Sequence, residues 1–429
     1  MPARFSHTMN LALIRSYLRK SCSLCFVSLS LLSTTVSAED KIFTIDGLVK
    51  LIIQHNPTLL TSRRSLDVAT AGVITAGARP NPRLEGSTGR QAAASLTGQG
   101  TMTGIGVSQL FENPALRSAR IEAAQSVERG SLQFVAATQN EVVAKIRLRA
   151  FEYLLRKEEL LAATDALHLL EQIQQRVKVK VDTGEAGKYE LIKADTEIIN
   201  ARQREQTAKL QVEQTMLNLN RLAAGKLPAR WELDANLNDE IKLEPMASIE
   251  LTALQANPEL NVLQADVDRA QAKLSEAIAS RWPGVELRYS HQREPEARQN
   301  VLSMSVQIPL VDQRTGPRAE AIADRERART RLEGRRDELQ QQLALAWRSI
   351  EVARLRIKAL DEGAMVGAEA ALRIAQAAYR FGERGILDVL DAERVLRSVR
   401  GDLLQARYEL QASTIELDFL AGRYVNAGN

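Results

Sequence analysis

The stretch YRFGERGILDVLDAERV, residues 379–395, decides how this chain is built. Two glycines, Gly382 and Gly385, interrupt sequence that is helical in character on both sides, and Arg384, Asp388 and Asp391 crowd into the turns around them. About 200 residues earlier the chain repeats itself. TGEAGKYELIKADTEIINAR from Thr183 matches FGERGILDVLDAERVLRSVR from Phe381, so that Gly184, Gly187, Leu191 and Asp195 fall on Gly382, Gly385, Val389 and Glu393. Upstream, QHNPTLLTSRRSLDVATAGVITAGARPNPRLE from Gln54 matches QANPELNVLQADVDRAQAKLSEAIASRWPGVE from Gln255, with the pairs Asn56-Pro57 and Asn257-Pro258 in register. Each copy closes on Ala-Gly, at Ala224-Gly225 and Ala421-Gly422. That period is far too long for a solenoid, and it describes a duplicated unit.

Within each unit the order is the same. A proline-started helix (57–78; 258–280) leads to a region marked by glycine and proline. A very long helix (about 116–182; 318–381), the glycine turn and a last helix (about 188–223; 386–421) follow. In the last helix Val389, Ala392, Leu396, Val399, Leu403, Ala406, Leu410, Ser413, Leu417 and Leu420 step by three and four. In the long one Leu339, Leu343, Ala346, Ile350, Ala353, Ile357, Leu360 and Ala364 do likewise. Sustained spacing of this kind packs helices side by side over many turns. At about 1.5 Å per residue the long helices reach on the order of 100 Å. The two shorter helices of a unit, stacked end to end, come close to that length.

Between the first and second helices lie segments of period two. Leu302, Met304, Val306 and Ile308 alternate with polar residues in VLSMSVQIPL, as do Val285, Leu287 and Tyr289 in PGVELRYSH. TMTGIGVSQLF, with Ile105 and Val107, and the weaker PRLEGSTGR stand in the first unit. One apolar face at this period is a half-buried strand, and about ten residues is the length a tilted strand needs to cross a bilayer. Trp282 and Phe111 flank these strands where interfacial aromatics would sit. Two soluble hairpins packed on the helices are the alternative. If the strands are membrane strands, four of them cannot close, and lipid tolerates only closed barrels. Three chains would supply twelve.

Composition narrows the class. Of 57 basic residues, Arg4, Arg15, Arg19 and Lys20 precede the apolar stretch that ends at Val36-Ser37-Ala38, and no acid occurs before Glu39. Residues 1–38 read as an export signal. Removing those four leaves 53 basic against 53 acidic residues, and a neutral chain has no electrostatic case for nucleic acid. Both cysteines, Cys22 and Cys25, lie in the same segment, which excludes disulfides and thiolate metal sites from the remainder. Leu24 before Cys25 does not suit lipidation. His55, His168 and His291 are unpaired in sequence, and no phosphate loop or nucleophile motif is present. The expectation is a non-enzyme without cofactors or metal site. Unit boundaries are expected at 39–247, with hairpin 82–112, tip 183–188 and an equatorial segment 225–247, and at 248–429, with hairpin 283–310 and tip 381–386.

Taken together, the duplicated helix–hairpin–long helix–turn–helix unit, the transitions GVSQLFENPALRSARIEAA and SVQIPLVDQRTGPRAEAIA, and the closing YRFGERGILDVLDAERVLRSVRGDLLQARYELQASTIELDFLAG resemble the TolC family of outer-membrane efflux channels. The resemblance implies a mainly α protein with a small β part: a homotrimer whose helical barrel is topped by a shared twelve-stranded transmembrane barrel. It implies outer-membrane lipid, a periplasmic adaptor and an inner-membrane pump as partners, and it makes the glycine turns the periplasmic tips. Tyr379, Arg384, Asp388 and Asp391 fall on the positions that hold such channels shut; solvated charges capping a turn are the alternative. The first tip departs from the pattern, with Lys188, Glu190 and Asp195 in place of those residues. The short mature chain and unlipidated start look like the heavy-metal, CzcC-like, branch. A duct for type I protein secretion and a periplasmic coiled-coil scaffold remain as alternatives.

Overall fold

The computed structural model describes residues 41–91, 100–239 and 241–426; the expected export signal, 1–38, lies outside the described residues. The chain runs through β1 (Lys41–Phe43), α1 (Ile45–His55), α2 (Pro57–Gly77), β2 (Arg83–Gln91), β3 (Gly100–Phe111), α3 (Pro114–Asp182) and α4 (Lys188–Leu222). It then repeats the order with β4 (Trp231–Leu233), α5 (Met246–Ala256), α6 (Pro258–Ala279), β5 (Val285–Arg293), β6 (Arg298–Val306), α7 (Thr315–Ala359), a π-helical segment (Leu360–Met365), α8 (Val366–Arg380) and α9 (Ile386–Leu420). A short 3₁₀ turn, Arg423–Asn426, ends the described chain.

The repeated Asn-Pro pairs explain how short helices make long staves. Proline at the first helical position suits α2 and α6, because the N–H it lacks would have no partner there. The asparagine before it does two jobs. Asn257 Oδ1 accepts from the backbone N–H of Glu259 at 2.9 Å and of Leu260 at 3.2 Å, capping α6. Its Nδ2 donates to the carbonyl of Leu420 at 2.9 Å, the last residue of α9. Asn56 repeats this arrangement, accepting from Leu59 N–H at 3.1 Å and donating to Leu222 O at 3.0 Å. Each side chain therefore satisfies unpaired groups at two helix ends at once, and welds α4 to α2 and α9 to α6. Asn113 does the same at the top, capping α3 and donating to Ala279 O at 3.1 Å.

Against these composite staves stand the two long ones. α3 is unbroken for 69 residues, about 100 Å. Its counterpart is not a single α-helix. The seam Leu339, Leu343, Ala346, Ile350, Ala353 is buried as the spacing predicts, but Ala364 is exposed and burial resumes at Ala368, Leu372 and Tyr379. The reason is the π-helical segment, which holds one extra residue and rotates the apolar face of α8 back onto α9. Three clusters of buried side chains hold the staves together. The central one gathers Leu48 and Ile52 of α1, Ile146 and Leu155 of α3, Leu219 of α4 and Trp231 of β4, with Tyr153 and Trp231 ring centroids 5.0 Å apart. β1 and β4 pair in parallel beside it. A second cluster joins α5, α6, α7 and α9, and a third joins α3, α4, α8 and α9 near the glycine turns.

Asn257→Asp keeps the capping acceptor and removes the donor to Leu420. The account predicts a loss of about 1–3 kcal/mol from the orphaned carbonyl, read as a lowered melting temperature of the purified protein. An unchanged melting temperature would reduce Asn257 to a helix cap.

Candidate functional site

Two regions carry the residues singled out by sequence: the four-stranded sheet at one end of the staves and the paired glycine turns.

The sheet has the order β2-β3-β5-β6 and is antiparallel throughout. Pairing across the strands places like with like. Val285 stands opposite Val306, Leu287 opposite Met304, and Tyr289 opposite Leu302 on β5–β6. Val107 stands opposite Tyr289, and Leu84 opposite Val107. Ile105 is one rung further along β3, opposite His291. These residues share one face of the pleat, and Leu302 and Met304 are 77% and 69% exposed. None of them is folded back against the helices. β6 stops at Val306, so Ile308, expected within the strand, lies past its end and is exposed. The opposite face carries Glu85, Gly104, Gly106, Ser108, Arg288 and Ser303, with Arg288 donating to Glu85 across β3 at 2.9 Å. β2 and β6 are the open edges of the sheet.

At the other end the two turns are built alike. Glu185 N–H donates to Lys180 O and Gly184 N–H to Val181 O; Glu383 N–H donates to Ala378 O and Gly382 N–H to Tyr379 O. Both are Schellman closures. Gly184 and Gly382 hold φ of +81° and +77°, where a β-carbon is strained. Gly187 and Gly385 play a different part: their φ values are −80° and −78°, and they serve as extended N-caps that any residue could adopt.

Tyr379 is buried against the first repeat. Lys180 Nζ donates to its carbonyl at 3.0 Å and lies 4.5 Å from its ring centroid. Burial, and then the charge of Glu190 in the first turn of α4, push the Tyr379 phenol above its ordinary value. Tyr379 Oη and Glu190 Oε2 are both buried without a hydrogen-bond partner among the described residues. Arg384 and Asp391 are exposed instead, and Asp388 is half-buried. Arg384, in the turn ahead of α9, approaches Asp388 in the first turn of that helix at 3.7 Å, and Asp391 approaches Arg394 at 3.8 Å; such solvent-facing pairs are weak. Arg394 also reaches Glu197 on α4 at 3.0 Å, tying the two tips together.

One residue here escaped the sequence reading. Glu393, aligned there only as the partner of Asp195, is 3% exposed and accepts from Arg397 at 2.8 and 3.0 Å. Burial pushes its carboxyl up, opposed by Arg397 and Arg204 and reinforced by Glu197. The signal was available: a carboxylate flanked by Ala392 on the apolar seam, with an arginine four residues on. Among the described residues, no three of His, Cys, Asp and Glu gather as a metal site requires, and no helix is long and apolar enough to cross a membrane.

A sheet apolar on one face and polar on the other, open at both edges and standing on a sheaf of helices about 100 Å long, is the form of a channel subunit. The chain belongs to the outer membrane efflux protein family, whose model matches residues 48–225 and 251–423. The cobalt-zinc-cadmium resistance protein CzcC of Cupriavidus metallidurans is 24% identical over 383 residues, covering 89% of this chain and 90% of that one. The fold is shared with CusC at a TM-score of 0.77 and 18% identity, over 88% of this chain and 92% of that chain. It is shared with the open-state MtrE outer-membrane channel of Neisseria gonorrhoeae at 0.75 and 18%, over 88% of each chain.

The raised Glu393 has a consequence for pH. Its contribution to tip stability is complete below the unfolded value near 4.5 and is lost as pH rises through the higher folded value. Glu393→Gln removes the titration. The melting temperature of the wild type, measured relative to this variant, is expected to fall between pH 4 and pH 7; a constant difference would contradict the assignment.

Proposed function

We propose that three copies of this chain form a passive exit duct, with the sheets closing a twelve-stranded barrel in the outer membrane and the helical staves walling a tube in the periplasm. The observation that carries this reading is the sheet: an exposed apolar face bounded by two unpaired edge strands. In lipid those edges must pair, and β6 of one copy meeting β2 of the next is a head-to-tail contact that closes only by rotation into a ring.

The outermost staves support the same contact. α4 packs chiefly on α3, and α8 on α9, so each leaves a flank free. Ile192, Ile199, Leu210 and Leu217 on α4, and Leu345, Val352, Val366 and Ile374 on α7 and α8, are exposed. Scattered apolar residues need no explanation, but two aligned stripes on opposite edges of one chain are the mark of a heterologous interface.

The tips then lie at the far end of the tube, where Tyr379, Arg384, Asp388 and Asp391 hold it narrow. Asp388 and Asp391 from three copies, brought around one axis, repel one another and attract cations. Arg384 is weakly paired and free to exchange partners when a periplasmic adaptor docks. The relation to CzcC, with the neutral, cysteine-free body of the chain, favours divalent metal ions as cargo, delivered through an adaptor by an inner-membrane pump. Residues 1–38 direct export.

In planar bilayers the purified protein should conduct, and Asp388→Ala with Asp391→Ala should raise its conductance several-fold. Cells lacking the protein should become sensitive to cobalt, zinc or cadmium. Identical conductance of the variant removes these aspartates from the constriction, and unchanged metal tolerance removes metal efflux.

A further inference from the structure

The two faces of the sheet carry charge differently. On the polar face Arg83 and Arg288 stand with Glu85 and Glu286, and the Arg288–Glu85 pair is formed at 2.9 Å. On the apolar face the strands hold no carboxylate among the described residues. The charges there are Arg90, Arg293 and Arg298, all exposed and all at the hairpin ends, farthest from the helices. Arg293 and Arg298 face each other directly across β5–β6, an arrangement in which like charges repel. Thr103 pairs with Arg293 and Thr101 with Arg90, which sets Arg90 two strands away and one same-face step further out. Glu294 and Glu296 occupy the adjoining turn, yet none of the three arginines has an ion pair among the described residues.

Their height along the strand is equally telling. Below them the polar rung of His291 and Asn300, where Tyr289 Oη and His291 Nδ1 lie 3.1 and 2.7 Å from Asn300 Oδ1, separates the arginines from the apolar band. The nine residues of β5, rising about 3.4 Å each and tilted by about 40°, lift Arg293 on the order of 20 Å above Val285. An apolar band about 25 Å tall would end near that level, at the membrane surface remote from the helices.

We propose that Arg90, Arg293 and Arg298 bind the phosphate groups of the anionic glycolipid of the outer leaflet. The inference rests on the reading that the sheet spans the outer membrane with the helices in the periplasm. Phosphate supplies the counter-charge that the cross-strand pair lacks, and guanidinium groups bind it through paired N–H donors. In the ring of three chains the site recurs three times and seats the barrel at a fixed depth.

The test uses the full-length protein in detergent, titrated with bis-phosphorylated lipid A and with the same lipid after removal of its phosphates. The double variant Arg293→Gln, Arg298→Gln should bind the phosphorylated lipid about ten-fold more weakly than wild type. Dephosphorylation should cost the wild type a similar factor. Arg83→Gln, on the polar face of the same sheet, should bind as wild type does. Equal affinity of the double variant and wild type, or of the two lipids, overturns the proposal; equal binding of phosphatidylglycerol overturns the glycolipid as its source. A wild-type preparation that conducts in bilayers without discriminating these lipids sinks the lipid site alone, whereas one that never conducts sinks the channel reading.

Discussion

The structure depends on a hydrogen-bonding requirement that a single chain leaves unmet. A backbone N–H or C=O in hydrocarbon costs several kcal/mol unless it is paired. β3 and β5 are paired on both sides, while β2 and β6 are paired on one. An exposed apolar face such as that of Leu302, Met304, Val107 and Tyr289 suits lipid, and open edges do not. Both conditions are met together only when edges of different copies join. In the proposed ring the polar face would line the lumen, and there Arg288 is paired with Glu85. A wall without strong net charge suits a conduit that passes what it is given.

Length is the second requirement, and the asparagine joints meet it. An unbroken helix of 69 residues needs neighbours of equal length to bury its face. Two shorter helices supply that only if their facing ends, each rich in unpaired groups, are satisfied on contact. Asn56 and Asn257 do this with one side chain apiece, 3% and 5% exposed. The same duplication that doubles the joint also doubles the tip. There the copies have diverged, with Lys180 and Glu190 of the first enclosing Tyr379 of the second.

Much of this was legible in the sequence because it rests on local periodicity. Strand alternation, helix seams and the left-handed glycines Gly184 and Gly382 each follow from a few neighbouring residues. Membership of the outer membrane efflux protein family, expected from the order of these pieces, is borne out. What escaped depends on contacts remote in sequence. The short helices α1 and α5, the parallel pairing of β1 with β4, and the buried Glu393–Arg397 pair are set by packing between parts of the chain far apart. Period alone carries the seam of α7 through to Ala364, because it cannot show a single inserted residue; the π-helical segment moves burial to Ala368 and Leu372. At the tip, identical spacing of two glycine pairs concealed different roles for their members, left-handed for the first and extended for the second.

The most direct test of edge closure is disulfide formation between strands β2 and β6. Within one chain two strands separate them, about 14 Å at the usual strand spacing, well beyond the reach of a disulfide. With Ser87→Cys on β2 and a cysteine scan along β6, in a chain with no other cysteine after residue 38, oxidation in the membrane should yield covalently closed trimers at one register. Monomers alone at every position of the scan would contradict the ring.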